Sequence, residues 1–257
     1  MSNALHSRQY VLTVAASKRL IAKGVASLPQ VREALQKRTV VILAGTTNGY
    51  VAEEILSLLG QAGDFGKRSF FRGVTTPPGV KADPGDGAFL AKDVVLERGV
   101  WSKEKNIFDS APALKSGDLL IKGANAVNVP KRQAGILIGS PELGTSAAIL
   151  PAAVGRRVEL ILPVGLEKRV YGDLFELAEK ANAFNAEGKR LLPIGGTILT
   201  ELDAIWHMTG AKAELIAAGG AFGAEGAVWL QIEGTEEQLA NAEKILALVV
   251  KEPPFTH

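Results

Sequence analysis

The sequence predicts an α/β fold, a parallel sheet flanked by helices and followed by a smaller α+β unit. Short apolar runs at 39–44, 118–121, 135–138 and 158–164 alternate with stretches of helical periodicity. The run 39–44 is apolar at every position but Thr39, as expected of a strand buried on both faces. From about residue 190 the rhythm changes to strand, helix, strand, strand, helix. The expected division is a Rossmann-like α/β ligand-binding domain over 1–188 and a ferredoxin-like α+β domain over 189–257.

Residues 13–38 read as helical, with a fresh start where Ser27 caps, Pro29 enters the first turn and Gln30 completes a capping box. After the strand 39–44 comes a small polar turn, 45–49, and an amphipathic helix over about 50–60 carrying Val51, Ile55, Leu58 and Leu59. Residues 69–74 read as a strand, 75–87 as a long Pro/Gly-rich loop, and 89–99 as a helix closed by Gly99. That loop is either a lid or binding segment or a surface insertion. The strands 118–121 and 135–138 each end in small residues, at 122–126 and 139–146. A helix over 146–155 is kinked by Pro151, and 158–164 is a further buried strand. In the last unit, 191–194 is a strand, 200–209 a helix, and 212–218 with 227–233 a hairpin. Thr235 and Gln238 open the final helix as a capping box.

Composition narrows the classes of function. At 257 residues and 47% hydrophobic, the chain can bury a substantial core. A net charge of +2 gives no electrostatic footprint for nucleic acid. The absence of cysteine excludes disulfides, thiolate metal sites and cysteine nucleophiles, and the three scattered histidines suggest no metal cluster. The apolar run 11–16 is too short for a secretory core, and no run reaches the ~18 apolar residues of a membrane span. A cytoplasmic protein that needs no cofactor and contacts neither membrane nor nucleic acid is therefore expected, and the Glu-rich helix starts and exposed sheet of the last unit, which suit a subunit contact, add the expectation of a homo-oligomer.

Ligands of parallel sheets bind beyond the carboxyl ends of the strands. Three small-residue turns fall there. In the first, Gly45, Thr46, Thr47 and Asn48 place hydroxyls and backbone N–H groups at the positive end of a helix, where an anion is readily held. The alternative is a tight turn and an ordinary cap. In the second, Lys122 could neutralise an anion, form a Schiff base, or simply be solvated. Beside it stand Gly123 and Asn125, and Asn125 could bond a ligand or occupy a left-handed turn. In the third are Gly139, Ser140, Glu142, Gly144, Thr145 and Ser146. Glu142 could serve as base or nucleophile or be a surface carboxylate. Thr145 and Ser146 either bind an anion or cap the next helix. His207 reads as a packing or surface residue, and the Lys168-Arg169 pair either reaches a phosphate across the sheet edge or is a solvated charge pair.

Taken in chain order, these segments resemble a known superfamily: ribose-5-phosphate isomerase A, glucosamine-6-phosphate deaminase, sugar-phosphate-sensing domains and CoA transferases. Gly45-Thr46-Thr47-Asn48 resembles the isomerases' phosphate loop. The helix that ends in 96–100 resembles the helix after their second strand, 118–128 their Asp-Gly-Ala-Asp-Glu segment, 144–170 the following turn, helix and strand, and 190–250 their inserted domain. The resemblance implies a phosphate-binding α/β fold. It also implies acidic residues at positions that here hold Lys122, Asn125 and Ala126, and a later lysine without a counterpart in 139–144. Residues 253–255 fall where the isomerases continue. Sugar-phosphate isomerisation needs a carboxylate to move a proton between adjacent carbons, and an amide cannot serve. The expectation is a protein that binds a small phosphorylated or carboxylated metabolite, with atypical isomerase- or lyase-like chemistry at Lys122 and Glu142. The alternatives are a non-catalytic sensor and an acyl or CoA transferase using Glu142.

Overall fold

The computed structural model describes residues 5–76, 78–79 and 92–255. In chain order the elements are β1 (His6–Leu12), α1 (Val14–Ser27), α2 (Pro29–Lys37), β2 (Thr39–Ile42), α3 (Thr46–Leu58), β3 (Val94–Glu97), β4 (Val100–Trp101) and α4 (Ile107–Ser110). There follow β5 (Leu119–Ile121), β6 (Ala126–Asn128), β7 (Gln133–Ile138), α5 (Thr145–Leu150), β8 (Glu159–Pro163) and α6 (Leu174–Ala181). The last are β9 (Arg190–Ile194), β10 (Thr197–Leu199), α7 (Glu201–Thr209), β11 (Lys212–Ala218), β12 (Val228–Gly234) and α8 (Glu236–Val249).

The result is an α/β fold around a mixed six-stranded sheet of order β10-β8-β5-β2-β3-β4. Strands β10, β8, β5 and β2 run parallel, while β3 and β4 are antiparallel additions. Ile42, Ile121 and Ile161 stand side by side in the register, so the chain leaves β2, β5 and β8 at one edge. Alternate side chains feed two cores. Val40, Ile42, Leu119 and Ile121 pack with Leu20 of α1, Ile55 of α3 and Ile205 of α7. Val41, Leu120 and Leu160 pack with Ile107 of α4, Ile149 of α5 and Ile136 of β7. Burial on both faces explains why β2 shows no polar alternation. Among the described residues, no helix is long and apolar enough to cross a membrane.

Two three-stranded antiparallel sheets complete the fold, β1-β12-β11 and β6-β7-β9. Their membership departs from the sequence reading. Strand β7 forms a hairpin with β6, with Gly135 opposite Ala126, and does not join the parallel sheet. No helix separates β5 from β7, and a parallel crossover takes roughly a dozen residues or more, usually helical. Residues 190–250 do not form one sheet either: β9 pairs with β7, β10 with β8, and β1 comes from the other end of the chain to pair with β12. The sheets therefore cross the expected boundary at 188/189.

Local differences have local causes. Residues 94–97, expected as helix, form β3, and Arg98 and Gly99, both at positive φ, make the two-residue turn of a hairpin into β4. Short apolar runs do not distinguish a strand from a buried helix. The position beside β2 is thereby taken. Residues 69–74 consequently form no strand: a 3-10 turn at Lys67–Ser69 is followed by irregular chain whose Phe70 and Phe71 are buried. Leu28, not Ser27, precedes α2, and Ser27 Oγ donates instead to the Gly24 carbonyl. The expected capping box at Thr235 and Gln238 is present. Residues 89–91 and most of the loop 75–87 lie outside the described residues.

Candidate functional site

Helix α3 begins at Thr46, four residues before its expected start, so Gly45 is the N-cap and the threonines form the first helical turn. The backbone N–H groups of that turn have no acceptor within the helix. Thr47 is 2% exposed and Asn48 fully buried. Asn48 faces the interior of the fold. Its Nδ2 donates to the carbonyls of Leu43 (2.8 Å) and Ile121 (3.0 Å), tying the ends of β2 and β5 together behind the turn.

In front of these strand ends lies a cleft of about 340 Å³. All three expected turns reach it: Gly45, Thr46 and Thr47 from the first, Lys122, Gly123 and Asn125 from the second, and Gly139, Ser140, Gly144, Thr145 and Ser146 from the third. Ile136, Leu137, Ile138 and Leu143 give it an apolar wall, and Arg72 and Lys168 add positive charge. Among the described residues, no Asp or Glu lines it.

Each threonine hydroxyl of the cleft meets a lysine. Lys18 Nζ donates to Thr46 Oγ1 (3.4 Å), Lys168 Nζ to Thr47 Oγ1 (3.3 Å), and Lys122 Nζ to Thr145 Oγ1 (3.3 Å). Burial, helped by the charge of Lys168 and opposed by Glu167, lowers the pKa of Lys18 to about 8. Burial also lowers that of Lys122 to about 8; Asp93 opposes the shift and Arg72 adds to it.

Asp93 is the hub that holds this side of the cleft. It is 1% exposed. Oδ1 accepts from the Ala44 N–H (2.9 Å) and Oδ2 from the Ile107 N–H (2.8 Å), while the Arg72 guanidinium grips both oxygens. Four donors saturate the carboxylate, so it anchors Arg72 and the chain leaving β2 without being available as a base.

The other expected residues take varied places. The Asn125 side chain accepts from the Leu137 N–H (3.0 Å), and its backbone is not left-handed. Its Nδ2 is the group it can offer a ligand. Gly144, not Thr145 or Ser146, occupies the N-cap of α5. Glu142 is exposed and outside the cleft lining, because the turn carrying it, with Leu143 at φ +61°, bulges into solvent. His207 is exposed on α7 and also outside the cleft. Lys168, for which the sequence left a phosphate contact and a solvated charge as alternatives, lines the cleft.

Sequence reasoning also missed a buried acidic pair behind Lys168. Glu201 is 0% exposed, and its carboxylate accepts from the Leu166 N–H. Both carboxylate oxygens of Glu167 are buried without a hydrogen-bond partner, and Lys168 Nζ is 3.8 Å from one. Burial, and secondarily the charge of Glu167, raises the pKa of Glu201 to about 8. The folded state thus holds a proton that the unfolded chain has lost above the ordinary carboxylate range. Stability is expected to fall as pH rises from about 5 to about 8 and then to level off. Glu201→Gln should flatten that slope and raise the urea midpoint at pH 8. An unchanged slope in the variant would refute the account of a proton held on Glu201.

Among the described residues, no group of three or more His, Cys, Asp or Glu side chains could hold a metal ion. No known protein family, curated protein or solved structure matches the chain.

Proposed function

We propose that the cleft binds a small phosphorylated or carboxylated metabolite. The observation that carries this reading is the charge of the lining: Lys122 and Lys168, beside an Arg72 held by Asp93, with no acidic lining residue among those described, in a chain whose net charge is only +2. Thr46, Thr47 and the free N–H groups of the first α3 turn suit the oxygens of one anionic group, with Lys168 supplying charge. The wall of Ile136 and Leu143 suits a non-ionic remainder.

The reading agrees with the phosphate-loop position in the isomerase and CoA-transferase superfamily that the sequence resembles. Ordinary pentose-phosphate isomerisation is not part of it, since the family's acidic positions hold Lys122, Asn125 and Ala126. Lys122 is the residue best placed for isomerase- or lyase-like chemistry. Glu142 is given no role, as it stands outside the cleft.

A thermal-shift panel tests the proposal, because a ligand of the folded state raises the unfolding midpoint. Inorganic phosphate, sugar phosphates, nucleotides, acyl-CoAs and short organic acids form the panel. At least one phosphate or carboxylate should raise the midpoint in a concentration-dependent way. A flat response across the panel contradicts the proposal.

A further inference from the structure

We propose that Lys122 is a carbonyl-trapping amine, whose Nζ forms an imine with an aldehyde or ketone carried by the anionic ligand. The inference rests on the anion-binding reading above and narrows it to phosphorylated or carboxylated carbonyl compounds.

The first support is how Lys122 is held. It is the first residue beyond β5, part-buried in the cleft wall, and its Nζ bonds the hydroxyl of Thr145. Among the described residues, no carboxylate makes an ion pair with it. Asp93, the acid that influences it, has its oxygens taken by Arg72 and two backbone N–H groups. Other covered lysines are arranged differently. Lys67 bridges Glu53 and Glu252, Lys23 bridges Glu54, and Lys168 stands beside Glu167. Lys18 also lacks a carboxylate partner, but it is outside the cleft lining, with its ammonium 5.5 Å from the Phe255 ring centre. Lys122 therefore combines access to a ligand with freedom from an ion pair.

The second support is chemical. The nucleophile is the neutral amine, and a buried lysine near another cation holds more of it. Lowering the pKa from 10.5 to about 8 raises the neutral fraction at pH 7 on the order of a hundred-fold. The step balances without an oxidant or a metal. The Nζ lone pair forms a C–N bond to the carbonyl carbon, and the carbonyl oxygen takes up the proton that nitrogen loses, giving a carbinolamine. The Thr145 hydroxyl, already bonded to Nζ, is the local relay for that proton. The proton that the Lys122 ammonium gave to solvent on becoming the neutral amine returns to this oxygen, which leaves as water as the nitrogen lone pair forms the C=N bond, giving the protonated imine. An anion held by Lys168 and Thr47 would present its carbonyl from the neighbouring strand ends, since β5 lies between β2 and β8.

The test uses pyridoxal 5′-phosphate as probe, a small molecule with one aldehyde and one phosphate. The native protein is incubated with it at low concentration, reduced with borohydride, digested and mapped by mass spectrometry. The expected result is adduct at Lys122 about ten-fold above that at any other lysine. Excess inorganic phosphate should suppress it, and pyridoxal without phosphate should label it less. Lys122→Arg, which keeps the charge but has no amine able to condense with a carbonyl, should lose the adduct, while the thermal shift of the unaltered protein with inorganic phosphate reads the anion site separately. Labelling spread over surface lysines, or centred on Lys168 or Lys18, overturns the inference. Phosphate binding without adduct at Lys122 removes the imine and leaves the anion site standing. Loss of both removes both.

Discussion

Lys168→Met is expected to weaken binding of any phosphorylated ligand about a hundred-fold, close to 3 kcal/mol. Lys168 enters the cleft from the chain just beyond β8 and bonds the hydroxyl of Thr47 at the start of α3. Of the lysines lining the cleft, it is the one bonded to the turn whose N–H groups would cradle an anion. Methionine keeps the apolar stem and removes the charge, so folding should survive. The buried Glu167 loses a neighbouring cation, and Lys18 loses the repulsion that helps lower its pKa. Both effects are on stability, and circular dichroism with urea titration separates them from binding. Calorimetry with the best ligand of the thermal-shift panel reads the affinity. A loss below about three-fold would mean that Lys168 is a bystander.

Asp93→Ala should be the most damaging single change to stability, about 4 kcal/mol. It removes the shared acceptor of Ala44, Ile107 and Arg72, leaving two covered N–H groups without a partner and a guanidinium without its counter-charge. Arg72 is partly exposed and regains some solvation, which keeps the cost below a fully buried case. Against a typical total of 5–15 kcal/mol, such a loss is a large part of the fold. Asp93→Asn, which retains one acceptor oxygen, should recover part of it. Urea midpoints measure both. A change below about 1 kcal/mol for the alanine variant would show that Asp93 is not the hub described.

The readable parts of the fold were those set by local pattern. Val40, Val41 and Ile42 declared a doubly buried strand because both faces of β2 meet apolar cores. Thr235 and Gln238 declared a helix start because a capping box is a local arrangement. The three small-residue turns meet at one cleft because two follow neighbouring parallel strands and the third follows β7, which folds back against them.

What escaped the sequence was non-local. Nothing within 133–138 says that β7 pairs with β6 and β9, since strand partners are chosen by tertiary packing. Lys18 lies in a stretch of α1, from Ala15 to Ala22, buried at every position, so no periodicity marks it. Arg72 lies in irregular chain, and its role depends on Asp93 more than twenty residues away. Glu167 and Glu201 look like ordinary surface carboxylates until burial is known, whereas Glu142, the acid that seemed well placed, is outside the cleft. Lys168 did carry a signal: it follows a buried parallel strand at its carboxyl end, the usual edge for ligands.

The central claim is that an anion sits at the start of α3, between Lys168 and Lys122. Titration of the labelled protein with inorganic phosphate, followed by amide nuclear magnetic resonance, tests it most directly. The account predicts saturable shifts at Gly45, Thr46 and Thr47, with smaller ones at Gly123 and Thr145, and their loss in Lys168→Met. Shifts confined to exposed lysines such as Lys37 and Lys212, with the amides of residues 45–47 unmoved, would contradict it.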